Sequence, residues 1–197
     1  MTTLLLIAAL FAQPDKKGFA TTREAMQKVQ LVIGEWTGSG APEGVKETAW
    51  AEKASWNFKI EKDVYSLLLT VTDGKLMKEG HLTYDLKKKV FRFELTRPDK
   101  SKVVYEGKLD DTQLLLEEVQ EKDAEQERLE FHLLRENRYF YNVERRRAGS
   151  KSWELVCNVG YKKEGVPFVR GEGPKCVITG GAGTISLQYK DKTYYVC

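Results

Sequence analysis

The sequence predicts an all-β domain: an antiparallel up-and-down barrel with a short N-terminal helix and a small C-terminal β-hairpin. Apolar and polar residues alternate from about residue 46 to 161, which places one face of each strand on a core and the other in water. The strands recur about every 10 to 12 residues, so no crossover helix fits between them. Closure into a barrel is favoured because an open sheet of this length would expose two edges.

The helix is predicted at the start of the domain. Thr21 and Glu24 have the spacing of a capping box, and the apolar residues after them share one helical face. The pattern becomes that of a strand at 31–40, and glycine and proline residues at 38–44 end it. The apolar helix positions are Met26, Val29 and Ile33.

Seven alternating runs then predict the strands of the barrel wall, with turn residues between them. The most polar stretch, 120–127, is predicted to connect two strands of a hairpin. The inward-facing positions are Trp56, Phe58 and Ile60; Tyr65, Leu67, Leu69 and Val71; Phe91, Phe93 and Leu95; Val103, Tyr105, Gly107 and Leu109; Leu129, Phe131 and Leu133; Tyr139, Tyr141 and Val143; and Trp153, Leu155, Cys157, Val159 and Tyr161.

Two interpretations of these inward-facing residues are open. In the first, the barrel binds a small apolar or amphipathic ligand. In the second, the same side chains fill the core and leave a structural barrel without a ligand, since a narrow barrel can be packed by its own side chains. The candidate ligand-binding residues are Trp56, Phe58, Leu67, Leu69, Phe91, Phe93, Tyr105, Phe131, Tyr139 and Tyr141.

The first residues are typical of a secretory signal peptide. Residues 4–12 form an uninterrupted apolar run that is too short to span a bilayer as a helix, and polar residues follow it. We expect export to the periplasm or the extracellular space, with cleavage after Ala12; the alternative is a buried N-terminal strand or helix. No other stretch has the length and apolar character of a membrane span. The predicted segments are a signal peptide and linker (1–20), the barrel (21–161), a linker rich in glycine and proline (162–175) and a hairpin that bears cysteines (176–197).

Charge and motifs exclude several function classes. Lysine and arginine number 32 and aspartate and glutamate 29, and the basic runs at 87–89 and 145–147 lie between predicted strands, so no nucleic-acid-binding face is expected. The motifs Gly-x-Ser-x-Gly, His-Glu-x-x-His and Gly-x-Gly-x-x-Gly and the P-loop are all absent. We therefore expect no enzymatic activity and assign no catalytic residue, and the sequence leaves the oligomeric state open.

The triplet Gly34-Glu35-Trp36, after a short helix and at the start of the first strand, resembles the Gly-x-Trp signature of lipocalin-like barrels. The longer string 33–40 is most similar to nitrobindin-like and related bacterial lipocalin-like families. The resemblance implies that Trp36 plugs one end of the barrel, a role that suits a large, flat, apolar indole. Nitrobindins bind haem through a histidine near the last strand, but here His81 and His132 precede it on polar faces, so haem is not expected.

The C-terminal segment resembles the first half of a YHS or TRASH-type metal-binding module. Cys176 and Cys197 match ligand positions of that family, whereas Asp191 stands where the family has glycine. The resemblance implies zinc or copper bound by these two thiolates, shared with a partner chain, since a closed zinc site takes four ligands. A disulfide between them and two free thiols are the alternatives. Cys157, on an inward-facing position, is expected to act as a small apolar core residue.

Overall fold

The computed structural model describes residues 18–45, 48–120, 124–135, 137–165, 179–181, 184–189 and 192–196. The chain divides into two compact units, with the boundary between Glu164 and Gly165. The elements of the first unit are the helix α1 (Thr22–Lys28), a short 3-10 turn (Gln30–Val32), and the strands β1 (Gly34–Pro42), β2 (Trp50–Glu61), β3 (Val64–Thr72), β4 (Glu79–Asp85), β5 (Val90–Thr96), β6 (Lys102–Asp110), β7 (Gln113–Glu118), β8 (Gln126–Arg135), β9 (Arg138–Arg146) and β10 (Glu154–Lys163).

The ten strands form one closed antiparallel barrel in which each strand pairs with the next along the chain. The first and last strands complete the ring, since β1 pairs with β10 on one side and with β2 on the other. At the centre of β1, Gly38 stands beside Tyr161 of β10 and Glu52 of β2. The predicted fold class is therefore confirmed: an all-β up-and-down barrel behind a short N-terminal helix.

The helix closes one end of the barrel. Thr21 caps it, because its hydroxyl oxygen accepts a hydrogen bond of 3.1 Å from the Glu24 backbone N–H. Met26 and Val29 are buried in the same core as the inward-facing strand residues. Trp36, at the start of β1, fills the space beneath them and donates its indole N–H to the Val32 carbonyl over 2.6 Å.

The hairpin of β2 and β3 extends beyond the barrel ladder. Pairing of β1 with β2 reaches only to Trp56, and pairing of β3 with β4 begins only at Leu67. Residues 57–61 of β2 pair only with 64–68 of β3, and within that hairpin 64–66 have no second neighbouring strand. Residues of this extension that continue the inward-facing side of β2, such as Phe58 and Ile60, are therefore exposed.

The strand β7 was not among the alternating runs of the sequence. Its three consecutive leucines hide the period of two, although Leu114 and Leu116 are buried and Leu115 between them is half-exposed. The basic run 145–147 also differs from expectation, because Arg145 and Arg146 belong to the end of β9 rather than to the turn after it. Its pairing with β8 carries the strand to that point.

The second unit contains a three-stranded antiparallel sheet. Its strands are β11 (Thr179–Gly181), β12 (Thr184–Tyr189) and β13 (Lys192–Val196), in that order across the sheet. The hairpin of β12 and β13 agrees with the expected C-terminal hairpin, and β11 adds one strand to it. Within the described parts of both units, no helix has the length and apolar character needed to cross a membrane.

Candidate functional site

Nine of the ten candidate ligand-binding residues lie inside the barrel, each less than 5% exposed. Their rings contact one another: Trp56 stacks on Phe93 with centroids 6.1 Å apart, and Phe131 lies edge-on to both. The cavity that these three rings line, together with Val29 and Val32 below them, has a volume of about 10 Å³. That is about the space of one water molecule, far less than a small-molecule site requires.

Phe58 is the tenth residue, and its position differs from the other nine. Its side chain is 43% exposed, because it lies on the part of β2 that extends past β1. Ile60 and Val64 on the same hairpin end are also exposed. The alternation places Phe58 correctly on the inward-facing side of its strand, but the barrel has already ended there.

A buried polar cluster interrupts the apolar interior at the half of the barrel away from the helix. Glu52 is 2% exposed, and its carboxylate accepts hydrogen bonds from the Trp50 indole N–H, at 2.6 Å, and from the Tyr161 hydroxyl. The Tyr161 ring stacks on Tyr139 and lies close to Tyr141, with centroids 4.6 and 6.2 Å away. The Tyr141 side chain is itself 1% exposed.

The titratable groups around Glu52 are held in their neutral forms. Burial raises the pKa of Tyr139, Tyr141 and Tyr161, and the negative charge of Glu52 adds to the effect on each. Burial likewise raises the pKa of the Cys157 thiol to about 12. A protonated thiol is a poor nucleophile and a poor metal ligand, so Cys157 lacks the properties of a reactive cysteine.

A cleft of about 280 Å³ lies at the end of the barrel opposite the helix. Its apolar wall comes from the β3–β4 loop and the strand ends of β5, β8 and β9. Its polar rim carries three cationic side chains, Lys75, Arg97 and Arg145, and two carboxylates, Asp99 and Glu127. The residues that line the wall are Leu76, Met77, Leu95, Pro98, Leu129 and Val143.

The rim of this cleft is organised around Glu127. The carboxylate accepts hydrogen bonds from the Arg97 guanidinium at 2.8 Å and from the Tyr105 hydroxyl at 2.6 Å, and Arg145 approaches its other oxygen to 3.7 Å. Burial, followed by the charge of Glu127, raises the pKa of Tyr105. Lys75 stands apart from this network, with its ammonium 5.4 Å from the centroid of the Trp50 ring.

The two histidines lie on the outer wall of the barrel. His81 is half-buried on β4 between Leu68 and Glu94, and His132 stacks on Phe140 with centroids 4.2 Å apart. In the described parts of the chain, no three His, Cys, Asp or Glu side chains come together as a metal site. Cys176 and Cys197 lie outside the described residues, so zinc or copper at these thiols stays a prediction.

Sequence reasoning missed Glu52, Glu127 and the rim arginines. The signal for Glu52 was present, because it is a carboxylate on the inward-facing parity of β2, in phase with Trp50 and Trp56. The rim residues gave no such signal. They stand at strand ends and turns, where charged side chains are ordinary and only the closed ring brings them together.

No family model matches this sequence, and no curated protein matches it. Among solved structures, the crystal structure of Rv2717c from M. tuberculosis is similar, with a TM-score of 0.48 and 14% sequence identity. The similarity covers 71% of this chain and 97% of that chain. At this TM-score and identity, the similarity says nothing about which ligand this barrel takes.

Proposed function

We propose that this protein is a non-catalytic binding protein that takes a small amphipathic anion in the cleft at the open end of its barrel. The observation that carries the proposal is one cleft of about 280 Å³ with apolar side chains along its wall and a rim on which three cations, Lys75, Arg97 and Arg145, outnumber the carboxylates of Asp99 and Glu127. Small-molecule sites are mostly apolar with a few convergent polar groups, and this volume suits a small member of that class.

The apolar wall would receive the body of the ligand. Met77, Leu95 and Leu129 belong to the buried core and reach the cleft only at their outer edges. A short alkyl or aryl group placed against them would extend the core outward by one layer. Burial of each CH₂ group stabilises such a complex by about 0.8 kcal/mol.

The cationic rim would receive the head group. Arg97 is engaged with Glu127 and Tyr105, whereas Arg145 is about half-exposed and contacts Glu125 at 3.3 Å and Glu127 at 3.7 Å. Lys75 is exposed and forms no ion pair with any described residue. The Lys75 ammonium therefore has donors left for a carboxylate, and the Arg145 guanidinium, with five N–H donors, has donors beyond its two carboxylate contacts.

The protonated state of the interior groups supports a protein that binds a ligand without catalysing a reaction. The buried tyrosine hydroxyls and the Cys157 thiol have raised pKa values, so none of them supplies a nucleophile near neutral pH. The described histidines lie on the outer wall, away from the cleft. Neither histidine therefore lines the cleft.

Isothermal titration calorimetry with octanoate tests the proposal. We expect one octanoate per chain, and a Kd about tenfold higher in Lys75→Gln and in Arg145→Gln, since each change removes one charge-assisted contact. Arg92→Gln is the matched control, because this arginine is similarly exposed but pairs with Glu94 and Glu106 on the outer wall. No binding of octanoate, or equal weakening in all three variants, would contradict the proposal.

A further inference from the structure

The strand β2 has an edge of unpaired backbone where it extends past β1. The ladder between the two strands stops at Trp56, because the chain before Gly34 turns inward and buries Val32 in the core. Beyond that point, 57–61 pair with no described residue outside β3, and we call this stretch the free edge. A row of unpaired N–H and C=O groups is a template on which another strand can pair.

The turn of the hairpin determines which backbone groups are available at the free edge. The two-residue turn at 62–63 has φ of 48° and 64°, and hydrogen-bonded and non-hydrogen-bonded residue pairs alternate along the strands from it. The Tyr65 N–H points out of the hairpin, since it donates to the Thr22 hydroxyl of α1 at 3.1 Å. Ile60 is the cross-strand partner of Tyr65 and therefore directs its own N–H and C=O out of the opposite edge, as does Phe58.

The two edges of this hairpin are covered differently. On the β3 side, the buried Thr22 of α1 accepts from Tyr65 and also donates to the Asp63 carbonyl over 3.4 Å. On the β2 side, Phe58 and Ile60 are 43% and 57% exposed. The helix thus closes one edge of the hairpin, and the free edge keeps both its backbone groups and its apolar side chains in water.

Charged residues on the other face of the free edge favour one partner, a second copy of the same strand. Lys59 and Glu61 flank Ile60 and lie on one face, with Nζ and Oε1 3.0 Å apart. When two copies pair antiparallel about a two-fold axis at Ile60, Lys59 of each copy lies opposite Glu61 of the other. An axis at Lys59 would instead place two lysines opposite each other, so the charges also select the register.

We propose that this protein forms a weak symmetric dimer in which the free edges of two copies pair antiparallel about Ile60. The two Ile60 residues exchange backbone hydrogen bonds, and the two hairpins become one four-stranded sheet. Phe58 and Ile60 of both copies then share one face of that sheet. A contact of this length is typical of a transient association. The free edge lies beside α1, at the end of the barrel opposite the cleft, so the dimer and the proposed ligand site can each fail without the other.

Sedimentation equilibrium of the full chain without ligand tests the proposal. Over concentrations from about 10 μM to 1 mM, we expect the weight-average mass to rise from that of one chain toward twice that value, as for a weak dimer. The mass of a single chain at every concentration would overturn the proposal.

Two charge variants and their mixture locate the interface. Lys59→Glu places carboxylates opposite carboxylates and Glu61→Lys places lysines opposite lysines, so each variant alone should have a dimer Kd at least about tenfold higher than the native chain. Mixed in equal amounts, they should associate again, because the carboxylates of one variant then face the lysines of the other.

Lys108→Glu is the matched control. Lys108 is also exposed, but it lies on β6, which has a paired strand on both sides, and we expect its replacement to leave the dimer Kd unchanged. Native dimer affinity in both Lys59→Glu and Glu61→Lys, or a mixture that associates no better than either variant alone, would contradict pairing through the free edge.

Discussion

At the scale of single residues, the barrel depends on large aromatic side chains that each have one polar atom to satisfy. Trp36 donates its indole N–H to the Val32 carbonyl and meets Tyr139 edge-on, with centroids 4.8 Å apart. Trp56 donates its indole N–H to the Tyr139 hydroxyl over 3.1 Å. Each indole thus combines a large buried apolar area with a fixed orientation.

Trp36→Phe is expected to destabilise the protein by about 1–3 kcal/mol, because it leaves the Val32 carbonyl without its donor and a space beneath the helix. Urea unfolding monitored by circular dichroism measures the loss. Trp153→Phe is the control, since this half-buried indole lies outside the core against Arg128 and Arg146, and we expect it to cost less than about 1 kcal/mol. Equal losses in the two variants would contradict the role of Trp36.

Cys157 predicts a dependence of stability on pH. Burial raises its folded-state pKa from the ordinary 9.0 to about 12, so between these values the unfolded chain loses a proton that the folded chain keeps. Its contribution to stability is therefore complete below pH 9 and is lost as the pH rises toward 12, at about 1.4 kcal/mol per pH unit for one group.

Urea unfolding of the native chain and of Cys157→Ala between pH 8 and 11 measures this contribution. We expect the free energy of unfolding to fall more steeply with pH in the native chain, since the buried tyrosines act equally in both. Parallel pH profiles would show that the thiol ionises as readily in the folded chain as in the unfolded one.

At the scale of elements, β1 is a strand whose backbone is closely fitted to neighbouring side chains. A Cβ atom on Gly38 would lie 2.5 Å from the Tyr161 ring, whereas a Cβ atom on Gly160 of β10 would meet nothing within 4 Å. The two glycines are near neighbours across the β1–β10 ladder but face opposite sides of the wall. Gly38 leaves room for the Tyr161 ring that reaches Glu52.

Gly38→Ala is therefore expected to cost about 1–3 kcal/mol of unfolding free energy, through displacement of the Tyr161 ring. Gly160→Ala, its matched control on the outer face, should change stability by less than about 0.5 kcal/mol. Chemical denaturation of both variants measures the difference. A neutral Gly38→Ala would mean that the Tyr161 ring can move without cost.

The sequence predicted the elements better than it predicted the site. Period-two alternation and the capping box at Thr21 led to the strands and to α1, because both depend on residues close together in the chain. Alternation did not predict β7, because three consecutive leucines conceal its period of two. The cleft joins residues from the β3–β4 loop, the β5–β6 turn and the ends of β8 and β9. Which of these residues meet depends on the register of strand pairing around the barrel, which the sequence does not reveal.

At the scale of the whole molecule, closure explains why a ten-stranded wall with many aromatic residues has little space inside it. Each strand buries its inward-facing side chains against the opposite wall, and rings such as Trp56, Phe93 and Phe131 meet across the centre. The helix covers one end, and the other end carries the cleft. The packed core leaves the cleft of about 280 Å³ at that open end as the place where we expect a ligand.

Export of the whole chain remains a prediction, because residues 1–17 lie outside the described residues. Mass spectrometry and N-terminal sequencing of the protein recovered from its host would test it. We expect the mature chain to begin at Gln13, in a periplasmic or extracellular fraction. Recovery of a chain that begins at Met1 from the cytoplasm would contradict the signal-peptide interpretation.

The position of a bound ligand tests the account most directly. In an NMR sample saturated with octanoate, we predict nuclear Overhauser effects from the octanoate methyl group to the methyl groups of Met77, Leu95, Leu129 and Val143, which line the open-end cleft. Effects to Leu67 and Leu116 in the barrel interior instead, or none to any of these residues, would contradict a packed barrel that binds amphipathic anions at its open end.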